Sequence, residues 1–178
     1  FMATNKQGWH KVRSHLLHLL DANTPDLRDN QALRAQVLIP QNEVIMKMPV
    51  QARGYTDFYS SIEHATNMGK MFRDPLNPLS PNWRHMPIGY DGRASAIVVS
   101  GTPIKRPMGQ QKIGEAAPIF ASTQQFDTEI ELGFIIGQGN PLGTPISIDT
   151  ALDHVFGVVM LLDWSARDIQ RFEYAPLG

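Results

Sequence analysis

Apolar side chains recur at three- and four-residue spacing through residues 5–22. Trp9, Val12, Leu16, Leu19 and Leu20 form one stripe, and Lys11, Arg13 and His15 lie off it. That period predicts an amphipathic helix, ended by Asn23-Thr24-Pro25. A second helix is predicted over 29–37, with Pro40 as its stop. In 43–48, Val44, Met46 and Met48 alternate with Ile45 and Lys47, which suits a short strand or an extended approach. Residues 49–54 are turn-forming and without period, and read as a boundary.

The texture changes at Tyr55. Tyr55-Thr56-Asp57-Phe58-Tyr59 is β-like, and Ser60 or Ser61 with Glu63 offers the N-cap of a helix over 62–72. Four prolines, Pro75, Pro78, Pro81 and Pro87, make 74–90 a long irregular loop. A strand is predicted over 94–100 from its Ile-Val-Val centre, a turn at Gly101-Thr102-Pro103 and a loop over 113–118. Residues 125–136 read as a long strand, followed by a short helix near 149–155. The almost unbroken apolar run 156–162 reads as a strand buried on both faces, and a last helix is predicted over 165–172. Phe58, Trp83, Phe134 and Trp164 read as core. The fold class is α+β, with strands dominating.

Composition narrows the function. The 178 residues allow one domain or parts of two. Lys+Arg 16 against Asp+Glu 17 leaves a net charge of -1, which gives no electrostatic footprint for nucleic acid and no polybasic patch for a membrane. Cysteine is absent, which excludes disulfides, thiolate metal sites and cysteine nucleophiles. No apolar stretch approaches the roughly 20 residues of a membrane span, and the first twenty residues hold no signal-type apolar block. The reading is a soluble, cytoplasmic protein. Phe1 in place of an initiating Met, and an end at Gly178, predict a piece of a longer chain.

The chemistry is carried by acids. On a strand, Asp127, Glu129 and Glu131 share one face, about 7 Å apart, while Thr128, Ile130, Leu132, Phe134 and Ile136 form the other, predicted to be the core face. Such a row of like charges calls either for open water or for a cation. Asp163 ends the apolar strand and needs a partner: Arg167, four residues on, or a metal shared with the glutamates. An oxygen-only set suits Mg²⁺ or Ca²⁺ rather than zinc. Asp57 and Tyr59 fall on one face of their extended stretch, and His64 follows five residues after Tyr59. Beside a carboxylate-bound metal a histidine becomes a credible general base, since histidines titrate near neutral pH. His10, His15, His18 and His85 have no such partner logic. Asp168 reads as the acid of a Ser165-x-x-Asp168 capping box.

Longer strings then accumulate: Tyr55-Thr56-Asp57-Phe58-Tyr59-Ser60-Ser61, His64-Ala65-Thr66-Asn67, Gly92-Arg93-Ala94-Ser95, Val98-Val99-Ser100-Gly101-Thr102-Pro103-Ile104, Arg106-Pro107-Met108-Gly109-Gln110, Glu129-Ile130-Glu131, Asp163-Trp164-Ser165-Ala166-Arg167-Asp168-Ile169-Gln170, Glu173-Tyr174 and Pro176-Leu177-Gly178. Together, and nearly continuously from Tyr55 to Gly178, they resemble the fumarylacetoacetate hydrolase family. The resemblance implies that residues 1–48 are the helical tail of an SH3-like N-terminal domain. It implies that 49–178 are the first half of a β-roll catalytic domain of the fumarylacetoacetase type.

The site follows from the resemblance residue by residue. Asp57, Glu129, Glu131 and Asp163 match four carboxylates that hold Ca²⁺ or Mg²⁺. His64 matches the base that activates water. Tyr59, Arg73, Gln170 and Tyr174 match substrate-binding positions, and Arg167 with Gln170 matches an oxyanion-stabilising pair. The implied reaction is hydrolysis of the carbon–carbon bond of the 1,3-diketone fumarylacetoacetate to fumarate and acetoacetate, in a homodimer. Asp91 stands where the family commonly has His, and carries no assigned role. The family's lysine and threonine fall beyond the Pro-Leu-Gly turn, as does the glutamate that orients its base. Related family members, such as acylpyruvate hydrolases and decarboxylases, share the Glu-x-Glu…Asp pattern. A non-catalytic metal-binding piece is the remaining alternative.

Overall fold

The structure is a computed structural model and describes residues 1–174. The Pro176-Leu177-Gly178 string lies outside the described residues. Helices and strands are comparable in extent, so strands do not dominate as predicted. Among the described residues the sheets are three separate antiparallel pairs. The chain falls into two compact units, one of residues 1–43 with 104–178 and one of 44–103.

In the first unit, α1 spans Lys6–Leu20, with the Asn5 side chain accepting from the Gly8 amide as its N-cap. One face of α1 is anchored by Trp9, which is buried and meets the Phe156 ring edge-on, centroids 5.2 Å apart. Gly137 makes room for this contact, because a Cβ there would stand 2.4 Å from the Trp9 ring. A short helix that was not predicted, α2, Pro25–Arg28, precedes α3, Gln31–Val37, which matches the helix predicted over 29–37. α1 ends at Leu20 with Asp21 as its C-cap, two residues short of the predicted end, and Pro25, whose fixed φ suits that place, takes the first position of the next helix.

β3 (Met108–Gln111) pairs with β4 (Ile119–Ser122), two strands that the chain's periodicity did not reveal. β5 (Phe126–Ile136) pairs with β6 (Val155–Ala166) along nearly its whole length, after a 3-10 turn at Ile148–Asp153. β6 is longer than predicted and is not buried on both faces. Its residues alternate, with Val158, Met160, Leu162 and Trp164 exposed. Opposite them in register stand Phe134, Leu132, Ile130 and Thr128. The predicted core face of β5 is therefore the open one (Ile130 is 74 % exposed), and Phe134 and Trp164 are not core. The physical reason is that this face is covered by no further layer among the described residues. The acid-bearing face is the more sheltered one. α5 (Arg167–Glu173) follows β6 directly and seats Ile169 in the buried interior.

In the second unit, residues 44–48 form no strand. β1 (Tyr55–Phe58) pairs with β2 (Gly89–Gly92), which closes the end of the proline-rich loop. Between them α4 spans Ile62–Phe72 as predicted, with the Ser61 hydroxyl accepting from the His64 amide. Its Ala65 is fully buried, and Gly69 lies against the Pro78 backbone. The strand predicted over 94–100 does not form. Ala94–Ala96 is a 3-10 turn, and among the described residues no strand pairs with this stretch. Phe58 is exposed rather than core.

Candidate metal centre

The β5–β6 ladder decides which acids meet. Asp127 faces Ser165, Glu129 faces Asp163 and Glu131 faces Leu161. Strand alternation puts all six on one face. Like charges directly across a ladder repel, so Glu129 and Asp163 require compensation. Two forms of it are built in.

The first is Arg167. Its Nε donates to Asp127 Oδ2 at 3.0 Å, and Nη2 pairs with that oxygen at 2.9 Å and with Glu129 Oε1 at 2.5 Å. Nη1 donates to Gln170 Oε1 at 3.2 Å, so the predicted i, i+3 pair on α5 does meet. The guanidinium side chain is 10 % exposed, against 52 % for Asp127 and 20 % for Glu129. Burial works against its charge, but the hydrogen bonds and charges of Asp127 and Glu129 outweigh that and hold its pKa above the usual value. Arg167 had been the alternative partner for Asp163; it pairs instead with the β5 acids, because it emerges one residue past the end of β6.

The second is room for a cation, since Glu131 and Asp163 bring carboxylate oxygens within 4.8 Å of each other. Oxygens that share a divalent ion at 2.0–2.6 Å stand up to about 5 Å apart, so this pair fits a hard cation. Glu129 lies between Arg167 and the Ser165 hydroxyl, which donates to it at 3.5 Å.

The Ser165-x-x-Asp168 capping box does not form. Ser165 still belongs to β6 and points to the acid face, and α5 has no side-chain cap. Asp168 instead accepts from the fully buried Thr123 hydroxyl and from the Gln124 (2.7 Å) and Ile169 (2.9 Å) amides. Burial alone would raise its pKa; these donors overcome that and lower it. Asp168 thus ties the start of α5, with Arg167 and Gln170, to the β4–β5 connection.

The second unit holds Asp57, Tyr59 and His64. Asp57 accepts from the Tyr90 hydroxyl at 2.6 Å, its direct partner in the β1–β2 register. Tyr59 and His64 rings meet edge to face, centroids 5.4 Å apart, and the Trp83 indole N–H donates to the Tyr59 carbonyl at 2.8 Å. Arg73 caps the C-terminus of α4 and Tyr174 that of α5, both exposed. Thr123 is not singled out by the sequence; Asp127, read there only as part of the acid row, and Tyr90 gain their partners from the strand register, which brings together residues dozens of positions apart.

A family model described as "Fumarylacetoacetate (FAA) hydrolase C-terminal" matches residues 53–178. The chain belongs to the fumarylacetoacetate hydrolase family. A second model, "Fumarylacetoacetase N-terminal", matches residues 1–49. The chain is 50 % identical over 179 residues to human fumarylacetoacetase, 48 % to that of the rat and 50 % over 181 residues to that of Dictyostelium discoideum. Each alignment takes in 100 % of the chain and 42–43 % of the relative, so the chain spans about two fifths of the length of these relatives.

Proposed function

We propose that the whole protein hydrolyses the carbon–carbon bond of fumarylacetoacetate to fumarate and acetoacetate, a step of tyrosine and phenylalanine breakdown. The observation that carries this reading is the convergence of Glu131 on Asp163, in a chain half identical to enzymes named fumarylacetoacetase. In this reading residues 1–48 end an SH3-like N-terminal domain and 49–178 begin a β-roll catalytic domain. The protein works as a cytoplasmic homodimer.

Asp57, Glu129, Glu131 and Asp163 would hold Ca²⁺ or Mg²⁺, their oxygen-only donor set being the kind such ions take. Such an ion, held by these carboxylates, would supply Lewis-acid polarisation that lowers the cost of a carbanion leaving group. His64 takes a proton from the water that attacks the carbonyl on the fumaryl side. The edge-on Tyr59 ring fixes one side of that imidazole. Arg167 and Gln170, already joined side to side, donate to the oxygen on which charge develops. Arg73 and Tyr59 grip the substrate carboxylates, a planar guanidinium being shaped for that task, with Gln170 and Tyr174 completing the contacts. Four carboxylates exceed the charge of one divalent ion, and Arg167 offsets the surplus.

The test is spectrophotometric loss of the diketone by the full-length protein, with fumarylacetoacetate compared against acetylpyruvate, before and after chelation of divalent ions. Turnover of fumarylacetoacetate that chelation abolishes supports the assignment; a preference for acetylpyruvate transfers it to an acylpyruvate hydrolase.

A further inference from the structure

Asp127 has no place among the proposed ligands, yet it makes the closest double contact with Arg167. Both Nε and Nη2 rest on its Oδ2, and the same Nη2 reaches Glu129. A carboxylate held by a guanidinium at 2.5 Å has one oxygen committed to that cation, and a metal must compete for it. The two acids divide one guanidinium between them, and only one of them is asked to serve a metal as well. Asp127 is also the more exposed acid, at the mouth of the strip, whereas Glu129 lies further in, opposite Asp163.

We infer that Asp127 is a positioning residue that draws the Arg167 guanidinium toward the end of β5 and so leaves Glu129 available to a divalent cation. The inference rests on the metal reading above and extends it to a residue outside the ligand set. Without Asp127 the guanidinium has Glu129 as its remaining carboxylate partner on β5 and settles there. Arg167, which already contends for one Glu129 oxygen, then competes more strongly with the metal. Simple loss of a negative charge would also weaken cation binding, but by the same factor whether or not residue 167 is cationic.

That difference defines the experiment. Mg²⁺ and Ca²⁺ affinities of the full-length protein are measured by calorimetric titration for the wild type, Asp127→Ala, Arg167→Met and the double variant. The expected result is a loss of about tenfold in affinity for Asp127→Ala with Arg167 present, and a much smaller loss in the Arg167→Met background, the coupling expected of groups in contact. Asp127→Glu should restore most of the affinity. Asp127→Asn, which keeps the shape, serves where the alanine variant does not fold, with the same coupling expected. Equal losses in both backgrounds, or no loss at all, overturn the inference while leaving the metal centre standing. A wild-type protein that binds neither ion overturns both.

Discussion

Glu129 stands directly across the β5–β6 ladder from Asp163, on the sheltered face of the ribbon. Two carboxylates in that relation repel each other unless water or a cation screens them. In this fold one cation is Arg167 on the Glu129 side, and the other is the proposed metal on the Asp163 side.

The metal should therefore feel each acid. Glu129→Gln keeps the volume and removes the charge. It is expected to weaken cation affinity by at least the roughly 10- to 100-fold that loss of an outer-shell partner costs. Calorimetric titration reads this directly. An unchanged dissociation constant would mean that the strip is a solvated face balanced by Arg167 alone.

His64 is expected to behave differently. In the full-length protein His64→Ala should lower kcat by about 10²–10⁴-fold, the range general base catalysis supplies, while the cation dissociation constant stays near that of the wild type. Retained turnover removes His64 from the base role.

The sequence carried local structure well and long-range pairing poorly. α1 and α4 were legible to within two residues because their caps, Asn5 and Ser61, and their apolar stripes are written in contiguous residues. The acid face of β5 was legible because strand alternation needs only one strand. What Arg167 would hold was not, since its choice of Asp127 and Glu129 over Asp163 depends on where β6 ends and how α5 leaves it. Burial misled for a similar reason. Ile130, Leu132 and Phe134 look like a core face in any window, and only the arrangement of layers determines whether something covers them. Residues 94–100 have strand composition but pair with no strand among the described residues.

Gly69 sets local preference against packing. In mid-helix an alanine is favoured over glycine by about 0.5–1 kcal/mol. Here an added Cβ would stand 2.0 Å from the Pro78 carbonyl oxygen and 2.6 Å from its carbon, so backbone must move. Overpacking of this kind costs about 1–3 kcal/mol and exceeds the helix gain. Gly69→Ala should accordingly lower Tm, and a thermal melt of the full-length protein that rises instead would show the proline-rich loop yielding without penalty.

Asp168 predicts the acid limb of stability. Its pKa is lowered in the fold, burial being outweighed by the Thr123 hydroxyl and the Gln124 and Ile169 amides. A carboxylate whose folded pKa lies below its unfolded value of about 3.9 contributes stability that is fully present above that pH. The contribution is lost as pH falls below about 4 toward the folded value, because protonation then discards three accepted hydrogen bonds. Asp168→Asn should lower the denaturant midpoint at pH 7 by the equivalent of about 1 kcal/mol, the usual worth of such bonds once solvent screening is counted. The difference from wild type should shrink as the pH drops below 4. Parallel pH profiles for the two proteins would show that α5 is held at β6 by the burial of Ile169 rather than by this carboxylate.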